Sequence, residues 1–566
     1  MNDRPPGAAD LDAAAHWLTP IYGAAETEGL LRAAAAAADR HGLDGNDGRG
    51  LDQRFSLLIT YGDIVQRPGQ APLATLHDFL CDRLGDSVTA VHVLPFYPHS
   101  SDDGFSVIDY RAVDRDLGDW SDIRALAHDY DLMFDLVLNH VSRKSQWFAN
   151  YLGDVDPGRD YFIEVDPATD LRAVVRPRST PLLAEVPTAR GTRHLWATFS
   201  EDQIDLDFRN PAVLREFIDI ILGYVAAGAR LLRLDAVAFI WKEPGTSCIH
   251  LEPTHHLIKA LRALLSAYAP GVRLVTETNV PHRENISYLT DGDEAHIAYQ
   301  FALPPLVLHT LLGGDCTTLR DWAAGLPALP PGCHFLNFTA SHDGIGLRAV
   351  EEILAPAEID VLVGAAHERG GFVSTRADGN GGHHPYELNV SYFSVLGGDR
   401  HHIARFLCSQ AISLALRGLP ALYFHSLTAT ENDLARVEAS GRYRTINRRK
   451  WDAAELERLL DSRDTAQAQV FAALRHLLEV RGRQPALHPE AAQTVVDIGT
   501  GVFAVERRAP GQTLVALHNV TDREQAVSTA ILPEANRWRD LVAGRAHPAS
   551  VRELRLAPYQ VAWLSD

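Results

Sequence analysis

The stretch Leu231-Leu232-Arg233-Leu234-Asp235 is a short apolar run that ends in a carboxylate. Similar runs recur along the chain after Phe55, and amphipathic stretches lie between them. Continuous apolar runs that alternate with helices are typical of a parallel sheet with both faces covered. The other runs are residues 57–59, 90–94, 132–138, 274–275, 335–338 and 421–424. About seven or eight such units predict an α/β fold, a (β/α)8 TIM barrel with insertions.

Changes in composition divide the chain further. An alanine run at 33–38 favours helix near the N-terminus, and the last 80 or so residues contain short β-like runs separated by turns. We therefore expect an N-terminal helical extension at 1–52 and a C-terminal antiparallel β-domain at 485–566. The barrel would comprise residues 53–140, 210–344 and 399–484, with inserted subdomains at 141–209 and 345–398. Long irregular insertions of this kind are usually functional.

Charge and cysteine content exclude several classes of protein. The 566 residues carry a formal net charge of −20, which disfavours nucleic acid and anionic membranes as partners. An anionic substrate would therefore need a local basic patch. The five cysteines lack metal-type spacing and their odd number disfavours a disulfide framework, so we expect a reduced, cytoplasmic environment. We expect neither a signal peptide nor a membrane span, and the oligomeric state is not readable.

Polar residues follow several of the apolar runs. Asp235 and Glu277 each come directly after a run, and His342-Asp343 follow another. Because catalytic residues lie at the carboxyl ends of barrel strands, these side chains are expected to meet in one site. Taken singly, an aspartate after a strand is more often a helix cap, but the set as a whole is poorly explained by caps.

Paired carboxylates suit the hydrolysis or transfer of glycosides. One carboxylate attacks the sugar, while a second, protonated carboxyl releases the leaving oxygen. Retention of configuration requires the two groups to lie roughly 5–5.5 Å apart. Arg233, two residues before Asp235 on the same strand face, is expected to keep that carboxylate ionised.

Four ordered motifs resemble those of the α-amylase family, glycoside hydrolase family 13. They are Asp135-x-x-x-Asn139-His140, Arg233-x-Asp235, Glu277 and His342-Asp343. The resemblance implies that Asp235 is the nucleophile, Glu277 the acid/base and Asp343 the group that stabilises the transition state. It places His140, Arg233 and His342 in the glucose subsite. It implies no cofactor, and we see no complete set of oxygen ligands for the calcium that some amylases bind near Asn139.

Further stretches resemble the sucrose phosphorylase subfamily. They are residues 176–178, 195–199, 245–248 and 301–306. The resemblance implies that Asp102 and Arg448 hold the glucose 4-hydroxyl at a closed, salt-bridged end and that Phe105 is a stacking platform. It adds Phe199 and Gln203 to the glucose subsite. A closed end leaves room for one glucose unit and disfavours polysaccharide hydrolysis.

The basic patch for phosphate is expected around Arg178. By the same resemblance, Arg178 and Tyr386 contact phosphate and acceptor, with Arg176, Asn279 and Glu387 nearby. Within the subfamily, residues 95–110, 202–206 and 276–282 are most similar to the glucosylglycerate phosphorylase group. The loop at 378–385 departs from that group, so Arg376, His383 or the Arg178 region is expected to recognise the acceptor carboxylate instead.

The resemblance implies a hexosyltransferase that acts by double displacement. Its small-molecule substrates would be 2-O-α-D-glucosylglycerate and inorganic phosphate, and its products α-D-glucose 1-phosphate and D-glycerate. Sucrose phosphorylase and glucosylglycerol phosphorylase are the alternatives within the class. A small α-glucoside hydrolase or transglucosidase is an alternative of another type, and a non-catalytic binding protein on the same fold is a third.

Overall fold

The structure is a computed structural model. It describes residues 7–43, 45, 50–178, 180–377, 383–532, 537–548 and 550–566. Within these ranges, eight parallel strands close into a barrel and follow one another around it in chain order. They are β1 (Leu57–Thr60), β2 (Ala90–Val93), β3 (Asp131–Val137), β4 (Ala229–Asp235), β5 (Arg273–Thr276), β6 (Ile297–Tyr299), β7 (His334–Asn337) and β8 (Leu419–Tyr423).

Each barrel strand is followed by a helix on the outer layer. In chain order these helices are Pro72–Arg83, Trp120–Asp129, Pro211–Ala226, Glu252–Tyr268, His282–Ile286, Leu303–Gly313, His402–Ala415 and Ala466–Gly482. The strands are almost fully buried and form one continuous apolar core with the inner faces of the helices. The predicted barrel is therefore confirmed. The sequence runs predicted seven of its strands and missed β6.

The N-terminal segment forms two helices against the barrel. They are α1 (Ala8–Tyr22), which packs on the helix Glu252–Tyr268, and α2 (Ala24–His41), which packs on Pro211–Ala226. The Tyr22 hydroxyl donates to the carbonyl oxygen of Phe208 at 2.6 Å. The extension thus covers the outside of the barrel wall.

Two excursions leave the barrel at its carboxyl end. The first follows β3 and contains the helix Gln146–Gly153, the hairpin Leu183–Thr188/Gly191–Trp196, and the pair His140–Ser142/Gln203–Asp205. The second follows β7. It contains the helix Pro356–Glu368 and a three-stranded antiparallel sheet of Ile345–Gly346, His383–Asn389 and Phe372–Ala377. Both lie where barrel enzymes carry their sites.

The C-terminal part is antiparallel β-structure, as predicted. Its six-stranded sheet contains Ala492–Val496, Val502–Ala509, Gln512–Asn519, Arg537–Asp540, Arg545–Pro548 and Val561–Ser565, and a second pair contains Gln525–Ser528 and Glu553–Leu556. Across the described ranges, no helix is both long and apolar enough to cross a bilayer. All five cysteines are free, and only Cys81 is exposed.

Candidate active site

A pocket opens at the carboxyl end of the barrel. Most of the residues predicted to act on the sugar line it. Its charged and imidazole side chains are those of Asp102, His140, Arg178, Arg233, Asp235, Glu277, His342, Asp343, Arg348 and Arg444. The remaining lining includes Phe105, Phe199, Gln203, Asn279 and Tyr386. The size and enclosure suit a small polar ligand.

One buried guanidinium joins the two predicted catalytic carboxyls. Asp235 is the last residue of β4, and Glu277 directly follows β5. Arg233 Nη1 lies 3.2 Å from Asp235 Oδ1, and Arg233 Nη2 lies 3.7 Å from Glu277 Oε1. Both carboxyls therefore face the same point above the barrel, as nucleophile and acid must.

A second buried carboxylate fixes the orientation of Arg233. Asp135, opposite Arg233 in the register of β3 and β4, forms an ion pair with Arg233 Nη1. His92 Nε2 lies 2.7 Å from the other Asp135 oxygen. Although burial acts to raise it, Arg233 and His92 lower the pKa of Asp135 to about 2. Asp135 is thus a permanent anion that holds the guanidinium in place.

The pKa values of the two catalytic carboxyls are shifted upward. Burial raises the pKa of Asp235, and the neighbouring Glu277 adds to the shift, whereas Arg233 opposes it. Burial also raises the pKa of Glu277, again against the effect of Arg233. The two carboxyls interact through their charges, and burial favours the neutral form of each. Asp235 has the shorter contact with Arg233, which favours the proton on Glu277.

The third carboxylate, Asp343, remains ionised. Arg444 Nη1 lies 2.6 Å from Asp343 Oδ1, and the same guanidinium forms two hydrogen bonds with Glu387, of 2.9 and 2.6 Å. Although burial acts to raise it, Arg444 and then His342 lower the pKa of Asp343. The ionised carboxylate is an acceptor for sugar hydroxyl groups.

The deep end of the pocket combines an aromatic face with neutral imidazoles. The rings of Phe105 and His342 are stacked with centroids 5.0 Å apart. His140 Nε2 lies 3.0 Å from the Phe105 carbonyl oxygen and 3.1 Å from Gln203 Nε2. Burial lowers the pKa of His140 and brings that of His342 to about 3. Both rings are therefore uncharged at neutral pH and suited to hydrogen-bond a glucose unit.

The structure corrects the expected pairing at the closed end. Asp102 lines the pocket, but the buried Arg448 forms its shorter ion pair with Asp103 and a longer one, of 3.5 Å, with Asp343 Oδ1, and it does not line the pocket itself. Asp102 and Asp103 both have positive φ, 55° and 49°, so the chain turns sharply and aims consecutive side chains in different directions. Asp102 Oδ2 instead accepts from Gln203 Nε2 at 3.4 Å. Arg448 acts behind the pocket, where its Nε donates to the His342 carbonyl oxygen at 2.9 Å.

The predicted phosphate and acceptor residues are only partly brought together. Arg178, Asn279 and Tyr386 line the pocket, with Arg178 Cζ 5.9 Å from the centre of the Tyr386 ring. Arg176 is exposed and donates to the Thr180 carbonyl oxygen, so it does not reach the pocket. Glu387 is buried behind the wall, because its carboxylate is taken up by Arg444.

The acceptor-side loop is described only in part. Residues 378–382 of the divergent loop, and the side chain of His383, lie outside the described residues. Arg376, one of the expected carboxylate-binding residues, contacts Glu351 at 3.0 and 3.2 Å and does not line the pocket.

Sequence reasoning missed two pocket arginines, Arg444 and Arg348. Arg444 lies four residues before Arg448 on a helical turn, Tyr443–Asn447, and this spacing was a usable signal. Arg348 follows the short strand Ile345–Gly346 in an irregular insertion, where no periodicity marks it.

The calcium-type motif at Asn139 holds an ammonium group. Lys242 Nζ lies 2.6 Å from Asp205 Oδ2 and also donates to Asn139 Oδ1, and all three residues are buried. The negative charge of Asp205 is therefore already neutralised by the ammonium group of Lys242. In the described part of the chain, one grouping has ligands spaced for a metal ion, His77, Cys81 and Asp129, and it lies on outer helices and not in the pocket.

Comparisons with known proteins agree with this geometry. Residues 77–316 match the family "Alpha amylase, catalytic domain", and residues 501–564 match "D-apionate lactonase, C-terminal immunoglobulin-like domain". The crystal structure of sucrose 6F-phosphate phosphorylase from Thermoanaerobacter thermosaccharolyticum superimposes with a TM-score of 0.74 at 24% identity, covering 83% of this chain and 94% of that one.

Curated relatives match over most of the chain. Glucosylglycerate phosphorylase of Allomeiothermus silvanus is 47% identical over 91% of this chain and 92% of its own, and that of Escherichia coli is 44% identical over the same shares. Sucrose phosphorylase of Streptococcus mutans is 28% identical over 84% of this chain and 98% of its own. With such identity over nine tenths of both chains, this protein belongs to the glucosylglycerate phosphorylase family, and its catalytic domain is of the α-amylase type.

Proposed function

We propose that the protein is a retaining α-glucoside phosphorylase. It converts 2-O-α-D-glucosylglycerate and phosphate, reversibly, to α-D-glucose 1-phosphate and D-glycerate. The observation that carries the chemistry is the pair Asp235 and Glu277 on the common guanidinium of Arg233, at 3.2 and 3.7 Å. The choice of acceptor is supported by the 44–47% identical relatives of that name.

The first step forms a covalent glucosyl-enzyme. Asp235 attacks the anomeric carbon, and a bond to its carboxylate oxygen forms as the bond to the glycerate oxygen breaks. Glu277 gives its proton to that leaving oxygen, and burial, which raises the pKa of this carboxyl, favours the protonated form that the step needs. The product is a β-linked glucosyl ester and free glycerate.

The second step transfers glucose to phosphate. A phosphate oxygen attacks the anomeric carbon, the ester bond to Asp235 breaks, and the proton of the incoming phosphate returns to Glu277. Two inversions give the α-anomer of glucose 1-phosphate. Phosphate is already anionic at neutral pH, so it needs less help from a base than water does.

The remaining pocket residues bind one glucose unit. Asp343, ionised beside Arg444, accepts hydrogen bonds from sugar hydroxyl groups, and these strengthen as positive charge develops on the ring. Phe105 and the neutral His140 and His342 line the deep end, and Asp102 lies beside Gln203. The glucose ring thus fills the enclosed part of the pocket, and the acceptor lies toward Arg178 and Tyr386.

A substrate panel tests this function. The enzyme is incubated with glucosylglycerate, sucrose or glucosylglycerol, with and without phosphate, and glucose 1-phosphate and free glucose are measured. We expect phosphate-dependent glucose 1-phosphate, formed fastest from glucosylglycerate. Faster reaction with sucrose or glucosylglycerol would refute the acceptor, and free glucose released at a rate independent of phosphate would refute phosphorolysis.

A further inference from the structure

Two of the four arginines that line the pocket have no acidic partner. Arg233 is paired with Asp135, Asp235 and Glu277, and Arg444 with Asp343 and Glu387. Among the described residues, Arg178 and Arg348 have neither an ion pair nor a hydrogen-bond acceptor for their guanidinium groups. In a chain of net charge −20, two uncompensated cations at one wall of a pocket indicate an anionic ligand.

The two arginines come from different insertions and line the same pocket as Tyr386. The strand Ile345–Gly346 pairs with the strand that carries Tyr386, and the Leu347 amide donates to the Tyr386 carbonyl oxygen at 3.0 Å. Arg348 is the next residue, and Arg178 Cζ lies 5.9 Å from the Tyr386 ring centre. The insertion after β3 thus places the Arg178 cation beside Tyr386, and the insertion after β7 contributes Arg348 to the lining of the same pocket.

The segment that carries Arg348 packs at Gly346 against Asn279, which follows the acid Glu277 by two residues. Gly346 approaches Asn279 so closely that a Cβ there would lie 2.6 Å from Nδ2. Arg348 Nε and Asn279 Oδ1 are both buried and have no hydrogen-bond partner. Buried polar atoms are almost always paired, so these two unpaired atoms are exceptions among the residues that line the pocket.

We propose that Arg348 binds the carboxylate of the glycerate unit, with Arg178 completing an anion site that phosphate occupies after glycerate has left. The inference rests on the proposed function. In a double displacement, the leaving acceptor and the attacking phosphate use the same space beside the anomeric carbon at different times. One pair of arginines can therefore serve two anions in turn, and a guanidinium fork suits both carboxylate and phosphate. Asn279 lines the same pocket.

The test separates acceptor recognition from the chemistry on glucose. α-Glucosyl fluoride is the donor, because it is neutral and its leaving group needs no anion site. Wild type and Arg348→Gln are compared for transfer to glycerate, to phosphate and to glycerol, which lacks the carboxylate. We expect Arg348→Gln to lower kcat/KM for glycerate and phosphate by about 10- to 100-fold, and to leave transfer to glycerol and hydrolysis of the fluoride within about twofold.

Two further variants sharpen the comparison. Arg348→Lys keeps the positive charge but cannot bind a carboxylate through two parallel hydrogen bonds. We therefore expect its rate of glycerate transfer to lie between those of Arg348→Gln and wild type. Arg376→Gln removes an arginine of the same insertion that is paired with Glu351 outside the pocket, and we expect it to behave as wild type. An unchanged preference of Arg348→Gln for glycerate over glycerol would overturn the proposal, as would an equal loss for both acceptors.

Failure of the inference and failure of the proposed function give different results. If wild type forms no glucose 1-phosphate from glucosylglycerate and phosphate, the proposed function fails. If wild type does so and Arg348→Gln has unchanged kinetics with both anions, the proposed function stands and the role of Arg348 is refuted.

Discussion

Arg444 and the buried Glu387 form a bidentate ion pair, with N–O distances of 2.9 and 2.6 Å. The same guanidinium contacts Asp343 at 2.6 Å. Glu387 therefore acts on Asp343 through Arg444. Its place next to Tyr386 in the sequence had instead suggested a direct contact with the acceptor.

Replacing Glu387 tests this indirect role. Glu387→Gln leaves Arg444 with one acidic partner, so the guanidinium is held less firmly against Asp343. We expect kcat/KM with glucosylglycerate to fall about 10-fold, and further in Glu387→Ala, because alanine leaves no hydrogen-bond acceptor for Arg444 and the guanidinium can move further from Asp343. Steady-state kinetics measure this. Glu351→Gln, which removes the partner of Arg376 outside the pocket, is the control, and equal kinetics for Glu387→Ala and wild type would contradict the role.

Replacing Glu277 tests the acid. Glu277→Gln has no proton to give to a glycerate oxygen, so turnover of glucosylglycerate should fall about 10²- to 10⁴-fold. The glucosylation step with α-glucosyl fluoride should be far less affected, because fluoride leaves without protonation. Pre-steady-state release of fluoride measures that step. An equal loss with both donors would show that Glu277 serves binding or folding instead.

The pH dependence follows from the raised pKa of Glu277. A raised pKa means that the acid stays protonated to higher pH than an ordinary glutamate, and its function is lost as pH rises through that value. The kcat/KM for glucosylglycerate should therefore fall on the alkaline side, and the glucosylation rate with α-glucosyl fluoride should lack that limb. Asp343, whose pKa is lowered, should add no step near neutral pH. The same alkaline limb with both donors would refute the assignment.

Replacing Lys242 tests the ammonium at the calcium-type motif. Lys242→Met leaves the buried Asp205 carboxylate without its cation, so we expect the free energy of unfolding to fall by about 3–5 kcal/mol. Denaturant unfolding of wild type and variant measures it. Replacing the exposed Lys144 with Met should change the value by less than about 0.5 kcal/mol. A Lys242→Met variant as stable as wild type would show that Asp205 does not need the ammonium.

The sequence predicted the barrel because most of its strands are continuous apolar runs. The strand β6, Ile297–Tyr299, was not predicted, because it has only three residues and follows the polar stretch 291–294. Asp235, Glu277 and Asp343 were found by their position at strand ends, which the barrel brings together.

The rest of the site depends on loop geometry that periodicity does not encode. The left-handed backbone conformation of Asp102 and Asp103 decides which of the two carboxylates faces Arg448. No pattern in the sequence marks that turn. Arg176 and Arg178 are two residues apart, yet only Arg178 reaches the pocket. Arg348 enters from the other insertion, and only the folded chain brings it into the same pocket as Arg178 and Tyr386.

The most direct measurement concerns the covalent intermediate. Glu277→Gln is incubated with α-glucosyl fluoride, digested and analysed by mass spectrometry, and a parallel sample is chased with phosphate. We predict one glucosyl unit on the peptide that contains Asp235, and its release by phosphate as α-D-glucose 1-phosphate. A glucosyl unit on another carboxylate, or an adduct that phosphate does not discharge faster than water does, would contradict the account.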